Sequence, residues 1–425
     1  MDEYFSHETF FDELFREHYG KITGALIRKF GPDQLDLIES AVQEAFLKAI
    51  QLWPHKGRPD RPLNWLIRVA YNSALDNLNY QKRADVISDV IVDIRTEEPR
   101  AYFADEVTDD DLRMLFLCCH PTLPVESQVA LLLKTACGFS VAEIARAFLA
   151  KEETVAQRLV RAKQQIRREK IAFELPPASE LSQRLDAVAL SLYLLFNEGY
   201  GASEGDNLVR EELCEESIYL AKKLVRHSLG QIPKIHALIA LMLFYRARIK
   251  TRTDSFGNIL LLKDQDRTQW DKQLLKEGAK YLSLSMQPGK LSKYHLEAGI
   301  AACHVFAPSW HETDWVQIVA YYEMLEALSP SPVVTLNRIA ATLMGAGPEK
   351  ALLELNKAAK NLADLEYYLY PAVAAEIHFQ LGHKQKAKSY YSSALRLVRT
   401  KAEKTFLLRK LSQIEEGLAA SKHRA

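Results

Sequence analysis

The stretch GFSVAEIARAFLAKEETVAQRLVRAKQQIRREK, residues 138–170, decides the fold prediction for the middle of this chain. Ser140 and Glu143 stand three residues apart before an apolar run, which is the spacing of a capping box at the start of a helix. A short break follows the first helix, and a second helix begins near Glu152 with acids at its positive dipole end. The inner stripe of this second helix is Val155, Leu159, Ala162 and Ile166.

The second helix of this stretch also carries a strongly basic outer face. Between residues 154 and 170 it holds one acid, Glu169, and six basic residues, which are Arg158, Arg161, Lys163, Arg167, Arg168 and Lys170. A cationic helix that follows a capped helix and a tight turn is typical of a recognition helix in the DNA major groove, with cations for phosphates. The alternative is a solvated basic helix packed on another helix.

Length, charge and cysteine content limit the function classes. The chain has 425 residues, enough for two or three domains, and its 55 basic residues balance 55 acidic ones, so any nucleic-acid surface must be local. No apolar run reaches about 18 residues, so we expect no transmembrane helix and no membrane partner. The five cysteines show no CxxC spacing, so we expect reduced thiols and a cytoplasmic protein. Without a glycine-rich phosphate loop or metal-ligand spacing, we expect no cofactor, no metal and no catalytic residue.

Composition divides the chain into four segments. Glycine and proline are concentrated at breaks between runs rich in Leu, Ala, Glu, Lys and Arg, which predicts an all-α fold. The second segment holds nine acids and two arginines and lacks a sustained helical period, so it is interpreted as an extended linker. The predicted segments are a helical domain at 5–85, the acidic linker at 86–111, a helix-turn-helix domain at 112–172 and a helical array at 180–420.

The last segment contains signs of repeated helix pairs. The clearest pair, residues 365–398, resembles a tetratricopeptide repeat, with small residues where the helices approach and Gly382 in the turn. A weaker copy spans residues 332–360. The alternative is an irregular helical domain without true repeats.

The first domain contains a basic, proline-stiffened loop between Trp53 and Trp65, followed by a helix rich in amides. Amides, aromatic rings and cations together suit the reading of bases that have left the duplex, through edge hydrogen bonds and stacking. The alternative is a structural helix with a solvated polar face.

Two motifs now combine, VQEAFLKAIQLWP…PLNWLIRVAYNSALDNLNYQKR (42–83) and FSVAEIARAFLAKEETVAQRLVRAKQQIR (139–167). In this order they closely resemble the second and fourth conserved regions of bacterial RNA polymerase sigma factors of the small, extracytoplasmic-function type. Strings at 184–203, 261–271 and 331–341 resemble the subgroup that adds a C-terminal tetratricopeptide-like domain.

The resemblance implies two partners, core RNA polymerase and promoter DNA. The residues implied in docking on the polymerase are Glu39, Gln43, Glu44 and Phe46. Those implied in binding the melted -10 element are Lys56, Arg58, Trp65, Asn72, Asp76, Asn77, Lys82 and Arg83. Those implied in reading the -35 element from an exposed helix face are Thr154, Gln157, Arg158, Arg161 and Lys163. The acidic linker is implied to run through the RNA path of the polymerase.

The role of the C-terminal array stays open, and so does one alternative function for the whole chain. The array is interpreted as a built-in regulator, or as a binding site for a regulatory protein or ligand. The alternative to a sigma factor is a helix-turn-helix regulator with a tetratricopeptide-like sensor. Such a regulator needs neither a polymerase-docking helix nor a strand-melting helix, so the first domain distinguishes the two.

Overall fold

The chain is helical throughout most of the part that the structure describes. Within that part the one strand-like pairing is an isolated bridge between Thr253 and Ile259, so the all-α prediction is confirmed. The chain divides into two compact units, residues 1–195 with 226–230, and residues 196–225 with 231–425. The computed structural model describes residues 2–85, 104–148, 150–201, 211–254, 259–287, 291–362, 367–398 and 401–422.

The first unit begins with a bundle of three long helices and continues into the predicted helix-turn-helix. A single 3-10 turn, Pro32–Gln34, separates the first two helices after Gly31. The helix-turn-helix prediction is confirmed, since one helix ends at Phe148 and the next begins at Glu152. The helices are α1 (Asp2–Phe30), α2 (Leu35–Lys56), α3 (Pro62–Asp85), α4 (Ala104–Cys118), α5 (Val125–Thr135), α6 (Val141–Phe148), α7 (Glu152–Glu169) and α8 (Leu181–Tyr200).

Two glycines allow the three-helix bundle to approach α5 closely. Gly138 has φ +77°, and an added Cβ would lie 2.7 Å from the Phe15 ring and 2.8 Å from the Tyr19 ring. Gly20 on α1 faces the carbonyl oxygen of Ala136, where an added Cβ would lie 2.3 Å away. Because no larger residue fits without displacing its neighbours, these two positions set the spacing between α1 and the end of α5.

The predicted extended linker is wrong over its last eight residues. Helix α4 begins at Ala104, so residues 104–111 are helical, and residues 86–103 lie outside the described part of the chain. Asp110 is buried, and its carboxylate lies 3.6 Å from Arg28 Nε and 3.1 Å from Arg113 Nη1. The helix dipole favours acids near a helix N-terminus. The acidic residues are therefore compatible with a helix start, which an interpretation from composition alone overlooked.

The predicted start of the C-terminal array at residue 180 differs from the observed division of the chain. Residues 181–195 of α8 belong to the first unit. Arg184 Nη2 donates to the Phe116 carbonyl oxygen at 2.6 Å, and Ser191 Oγ donates to Gln128 Oε1 at 3.1 Å. The first four turns of α8 therefore complete the core around α4 and α5.

The second unit consists of helices that pack in sequence order. Helix α10 is mostly buried and packs against α11 and α12, which explains its near-continuous run of apolar residues. No helix among the described residues is long and apolar enough to cross a membrane. The helices are α9 (Glu211–Arg226), α10 (Pro233–Ala247), α11 (Lys272–Ser285), α12 (Lys293–Phe306), α13 (Trp315–Leu328), α14 (Pro332–Ala346), α15 (Pro348–Leu362), α16 (Leu369–Gln380), α17 (Lys384–Leu397) and α18 (Lys401–Lys422).

The two predicted helix pairs are present at the C-terminal end of the second unit. Helices α14 and α15 are joined at Gly347, which has φ +88°, and α16 and α17 are joined at Gly382, which has φ +77°. Small buried residues, Ala375 on α16 and Ala387 on α17, share one core cluster where these paired helices meet, whereas Ala374 belongs to the cluster with α14 and α15. The hairpins are therefore observed, whereas their membership of the tetratricopeptide class stays a prediction.

The paired cysteines at the end of α4 serve as core residues. Cys118 and Cys119 are completely buried, as the core-packing interpretation predicts. Burial raises the pKa of both thiols, and that of Cys119 to about 12, so they stay protonated at neutral pH.

Gly138→Ala is expected to destabilise the first unit by about 2 kcal/mol or more, because a methyl group would meet two aromatic rings at a residue with positive φ. Gly31→Ala is the matched control, since Gly31 has φ +86° but no neighbour within 4 Å of an added Cβ. Urea unfolding of the full chain measures both. Equal loss of stability in the two variants would contradict the close-packing argument.

Candidate functional site

The helix-turn-helix begins with the capping box that the sequence predicts. The Ser140 N–H donates to Glu143 Oε2 at 2.7 Å, and the Glu143 N–H donates to Ser140 Oγ at 3.1 Å. The predicted inner stripe of α7 is buried, so this helix is held against α5 and α6 by its apolar side. The N-terminal half of its other side faces solvent and is available for a ligand.

The predicted DNA-reading residues of α7 fall into two groups. Thr154, Gln157 and Arg161 are exposed, and Arg158 is half-buried beside them. Within the described part of the chain, neither of these arginines has an ion-pair partner. Lys163 is only 7% exposed, so the expectation that it stands on the exposed face is wrong in this conformation.

Lys163 is buried because it bonds to α2. Its Nζ lies 2.8 Å from Asp36 Oδ1 and 2.8 Å from Glu39 Oε2. Burial alone would lower the pKa of Lys163, but the two carboxylates raise it above its ordinary value. Arg167, one turn further along α7, donates to Asp36 Oδ2 and to the Asp33 carbonyl oxygen, both at 2.8 Å.

The acidic partners of Lys163 are held by further contacts. The Glu39 carboxylate also accepts a hydrogen bond from the Thr135 hydroxyl at 3.4 Å, and Glu39 is buried. Burial opposes ionisation of Asp36, yet hydrogen bonds from Lys163 and Arg167 lower its pKa below the ordinary value. The sequence did not indicate Asp36 as a site residue, because no local pattern distinguishes it from any other acid at the start of a helix.

The four residues implied in polymerase docking are not on one surface. Gln43 is exposed, but Glu39 is buried beneath α7, and Phe46 is buried with its ring centroid 4.7 Å from that of Phe15. Glu44 accepts hydrogen bonds from Lys48 and from Ser73 on α3, and these bonds lower its pKa. Glu44 therefore joins α2 to α3 in addition to facing solvent.

Sequence reasoning missed two exposed apolar residues on α2. Leu47 is 57% exposed and Ile50 is 47% exposed. With Gln43 they stand at positions i, i+4 and i+7, which places all three on one side of the helix. We call Gln43, Leu47 and Ile50 the outer stripe of α2. The helical spacing was visible in the sequence, but only the structure shows that the core leaves it uncovered.

The loop after α2 presents cations beside a pair of tryptophans. Trp53 and Trp65 lie edge to face with ring centroids 5.3 Å apart. Lys56 and Arg58 are exposed between them in the chain, and Gly57, with φ +82°, ends α2. The two rings fix the ends of the loop, so its basic part stands out from the bundle.

Helix α3 presents a polar stripe on its outer side. Asn72 and Asp76 are exposed at i and i+4, and Arg68 and Tyr80 extend the same line by one turn at each end. Tyr80 is 76% exposed, which is unusual for an aromatic ring and suits stacking. Asn77 is exposed on a neighbouring side of the helix. The side chains of Lys82 and Arg83 lie outside the described residues.

The sequences of these two parts match known protein families. Residues 14–84 match the family model for sigma-70 region 2, and residues 113–166 match the model for sigma-70 region 4. The chain therefore contains both conserved sigma-70 regions, in this order. It is therefore a sigma factor that binds RNA polymerase and promoter DNA, and members of this family are transcription initiation factors and not enzymes.

Two further matches are to proteins of undefined role. Residues 184–286 match a family of unknown function, DUF6596. An uncharacterized protein of Rhizobium meliloti (strain 1021), R00370, is 37% identical over 398 residues, which is 92% of each chain. No solved structure matches the chain significantly.

The second unit contains an open groove of about 1100 Å³ between its later helices. Its lining is largely apolar and includes Trp310 and Trp315, whose rings pack edge to face with centroids 4.6 Å apart. Glu376 lies in the wall, where it accepts hydrogen bonds from Tyr391 at 2.8 Å and Lys410 at 3.2 Å. Burial opposes its ionisation, but Lys410 and Tyr391 together lower the pKa of Glu376.

Glu376→Gln is expected to lower the stability of the second unit by about 1–3 kcal/mol above pH 5, because it leaves Lys410 partly buried and unpaired. The folded pKa of Glu376 is depressed, so its contribution is present above the unfolded value and lost as pH falls through the folded value. Thermal unfolding at a series of pH values measures this difference.

Glu323→Gln is the matched control, since Glu323 is exposed on α13. A Glu376→Gln deficit that persists unchanged at the lowest pH at which the protein stays folded would contradict the ionic explanation.

Proposed function

We propose that this sigma factor is of the extracytoplasmic-function type and acts in the cytoplasm, with the outer stripe of α2 docking on core RNA polymerase. The apolar exposure of Leu47 and Ile50 supports this role most directly. Their heptad-like spacing with Gln43 suits a partner helix, and large apolar residues left in water at such spacing mark an interaction surface. Glu44 flanks the stripe and adds a charged contact.

Promoter melting is assigned to the Trp53–Trp65 loop and the polar stripe of α3. Lys56 and Arg58 place positive charge where a strand would leave the duplex. Trp65 packs against Trp53 and so holds the two ends of the loop together. Asn72, Asp76 and Asn77 offer hydrogen-bonding groups for base edges, and Tyr80 offers a stacking face. Lys82 and Arg83 extend this surface in the sequence.

Recognition of the -35 element is assigned to the N-terminal half of α7. Thr154, Gln157 and Arg161 are exposed there and Arg158 stands beside them, which is the arrangement of a helix that reads base edges while cations contact phosphates. Glu152 and Glu153 at the helix start oppose close approach to phosphate, so the reading contacts are placed from Thr154 onward.

The second unit is assigned as a built-in regulator with a tetratricopeptide-like arrangement. Its paired helices and its open, largely apolar groove are suited to bind a peptide or ligand. The helix-turn-helix regulator with a sensor domain is disfavoured, because such a protein has no use for the outer stripe of α2 or for an exposed Tyr80.

Run-off transcription with purified core polymerase on supercoiled promoter DNA tests the proposed function. The full chain is expected to direct initiation at specific start sites that are absent with core alone. The chain ending at residue 201, which keeps the part of α8 that packs on α4 and α5, reports the contribution of the second unit. Tight duplex binding by the full chain, without any core binding or initiation, would favour the alternative regulator.

Leu47→Ala/Ile50→Ala is expected to weaken binding to core polymerase by about 10- to 100-fold, because two exposed apolar anchors are removed. Val160→Ala is the matched control, since Val160 is 53% exposed on α7, outside the stripe. Surface-immobilised core polymerase measures both affinities. Both variants should unfold at the wild-type midpoint, since neither touches the core. An unchanged affinity of the double variant would exclude the stripe as the docking face.

A further inference from the structure

The open groove of the second unit has an apolar middle and charged groups toward its two ends. Its walls come from α12, α13, α14, α16, α17 and α18 and from the segment 261–264, and its volume is about 1100 Å³. We propose that this groove binds a small amphiphilic acid, whose apolar body lies along the helices and whose carboxylate lies at the end near His304. Its meaning as a signal rests on the regulatory role proposed above for the second unit.

The middle of the groove suits a hydrocarbon body. Its lining there includes Ile318 on α13, Leu343 on α14, Val373 on α16 and Phe406 on α18. Ala340 on α14 contributes only a methyl group to the lining, which leaves room beside the helix. Sites for small molecules span about 300–1,000 Å³, so an open groove of this volume holds an amphiphile of about ten carbons. Covering the apolar lining with such a body removes apolar surface of both partners from water.

The charges at the end formed by α16 and α18 compensate each other. Glu376 accepts hydrogen bonds from Tyr391 at 2.8 Å and from Lys410 at 3.2 Å, and Gln380 Nε2 donates to its other oxygen at 3.4 Å. The carboxylate is therefore satisfied, and Glu376 and Lys410 together carry no net charge. A charged group of a ligand gains little at this end, which suits the apolar end of an amphiphile.

The end near His304 carries an excess of positive charge. Lys263 is exposed in the lining and has no ion-pair partner within the described part of the chain. Arg267, on the same segment, donates to the carbonyl oxygens of His304 and Ala307 at 2.7 Å and 2.8 Å, and its Nη2 is buried without a hydrogen-bond partner among the described residues. The exposed Asp264 offsets only one of these two cations.

Two further acids follow α12, but their carboxylates are bound within their own loop. Glu312 accepts a hydrogen bond from Ser309 Oγ at 2.7 Å. Asp314 accepts one from the Gln317 N–H at 2.9 Å, at the start of α13. Neither acid belongs to the described lining of the groove, so the positive balance at this end persists.

His304 is uncharged at neutral pH beside these cations. Burial lowers its pKa to about 4, and the positive charges of Arg248 and Arg267 act in the same direction. Its Nδ1 is buried without a hydrogen-bond partner in the described part of the chain, and its ring is nearly parallel to that of Trp310. A neutral imidazole still donates one hydrogen bond. The charges that disfavour a cationic imidazole here favour a carboxylate, so an acid suits this end of the groove.

An extended peptide fits the same groove less well. A peptide carries an N–H and a C=O at almost every residue, and each of them needs a partner when it is buried. Among the described residues, the polar side chains in the middle of the lining are Asn337 and Tyr322. Two side chains cannot satisfy the backbone of several residues, whereas a hydrocarbon body needs no hydrogen-bond partner.

The first test titrates the full chain calorimetrically with decanoate, decanol and decyltrimethylammonium, which share one alkyl chain and differ in charge. Decanoate is expected to bind a single site roughly tenfold more tightly than decanol, and the cation more weakly than either. Hexanoate is expected to bind roughly 100-fold more weakly than decanoate, because four methylene groups are lost. Equal affinity for decanoate and decanol, or no decanoate binding up to its solubility limit, would overturn the proposal.

The second test locates the site with variants of the full chain. Ala340→Phe places a ring in the groove and is expected to weaken decanoate binding roughly tenfold or more. Ala327→Phe is the matched control, since Ala327 is exposed on α13 outside the described lining. Unchanged affinity of a folded Ala340→Phe variant would place the binding outside the groove and reject the proposal.

A milder variant tests the charged end and does not depend on the folding of Ala340→Phe. Lys263→Gln is expected to weaken decanoate binding roughly threefold and to leave decanol binding unchanged, because it removes a cation from the end assigned to the carboxylate. Lys272→Gln removes the same charge from an exposed position on α11 and serves as the control. Equal decanoate affinities of these two variants would contradict the placement of the carboxylate.

Run-off transcription separates this inference from the regulatory role on which its meaning rests. Decanoate that binds as expected but leaves initiation by the full chain unchanged would reject the regulatory role and support the ligand site. A second unit whose removal changes initiation, in a chain that discriminates neither decanoate from decanol nor Ala340→Phe from wild type, would support the regulatory role and reject the amphiphilic acid as its ligand.

Discussion

The first unit depends on a buried ammonium group shared between two carboxylates. Lys163 Nζ lies 2.8 Å from oxygens of both Asp36 and Glu39, and moving such a charge out of water is costly unless it is paired. In the same unit, Gly20 and Gly138 let α1 approach the end of α5 closely. The buried ion pairs and this close backbone packing both join the first three helices to the helices that follow.

The same dependence explains why helix α7 has two different halves. Its N-terminal half turns Thr154, Gln157 and Arg161 to solvent, whereas its C-terminal half bonds to α2 through Lys163 and Arg167. Asp36 and Glu39 on α2 pair with Lys163, and Asp36 also pairs with Arg167, whereas Arg168 and Lys170 stay exposed at the end of the helix.

Local periodicity predicted the features that depend on residues close together in the chain. The capping box at Ser140 and the buried stripe of α7 follow from spacing within a few turns, and both are confirmed. The two C-terminal helix hairpins were predicted from the same kind of pattern, with glycine in the turns. The helical start of α4 was missed, because acidic composition outweighed the weak apolar period there.

Contacts between distant residues could not be predicted in this way. Lys163 and Glu39 are 124 positions apart, and nothing in either segment indicates the other. Phe46 was grouped with the docking residues because it shares a motif with them, yet its ring packs against Phe15 in the core. Leu47 was overlooked because an apolar residue within an amphipathic helix is normally assigned to the core, and only burial distinguishes the two cases.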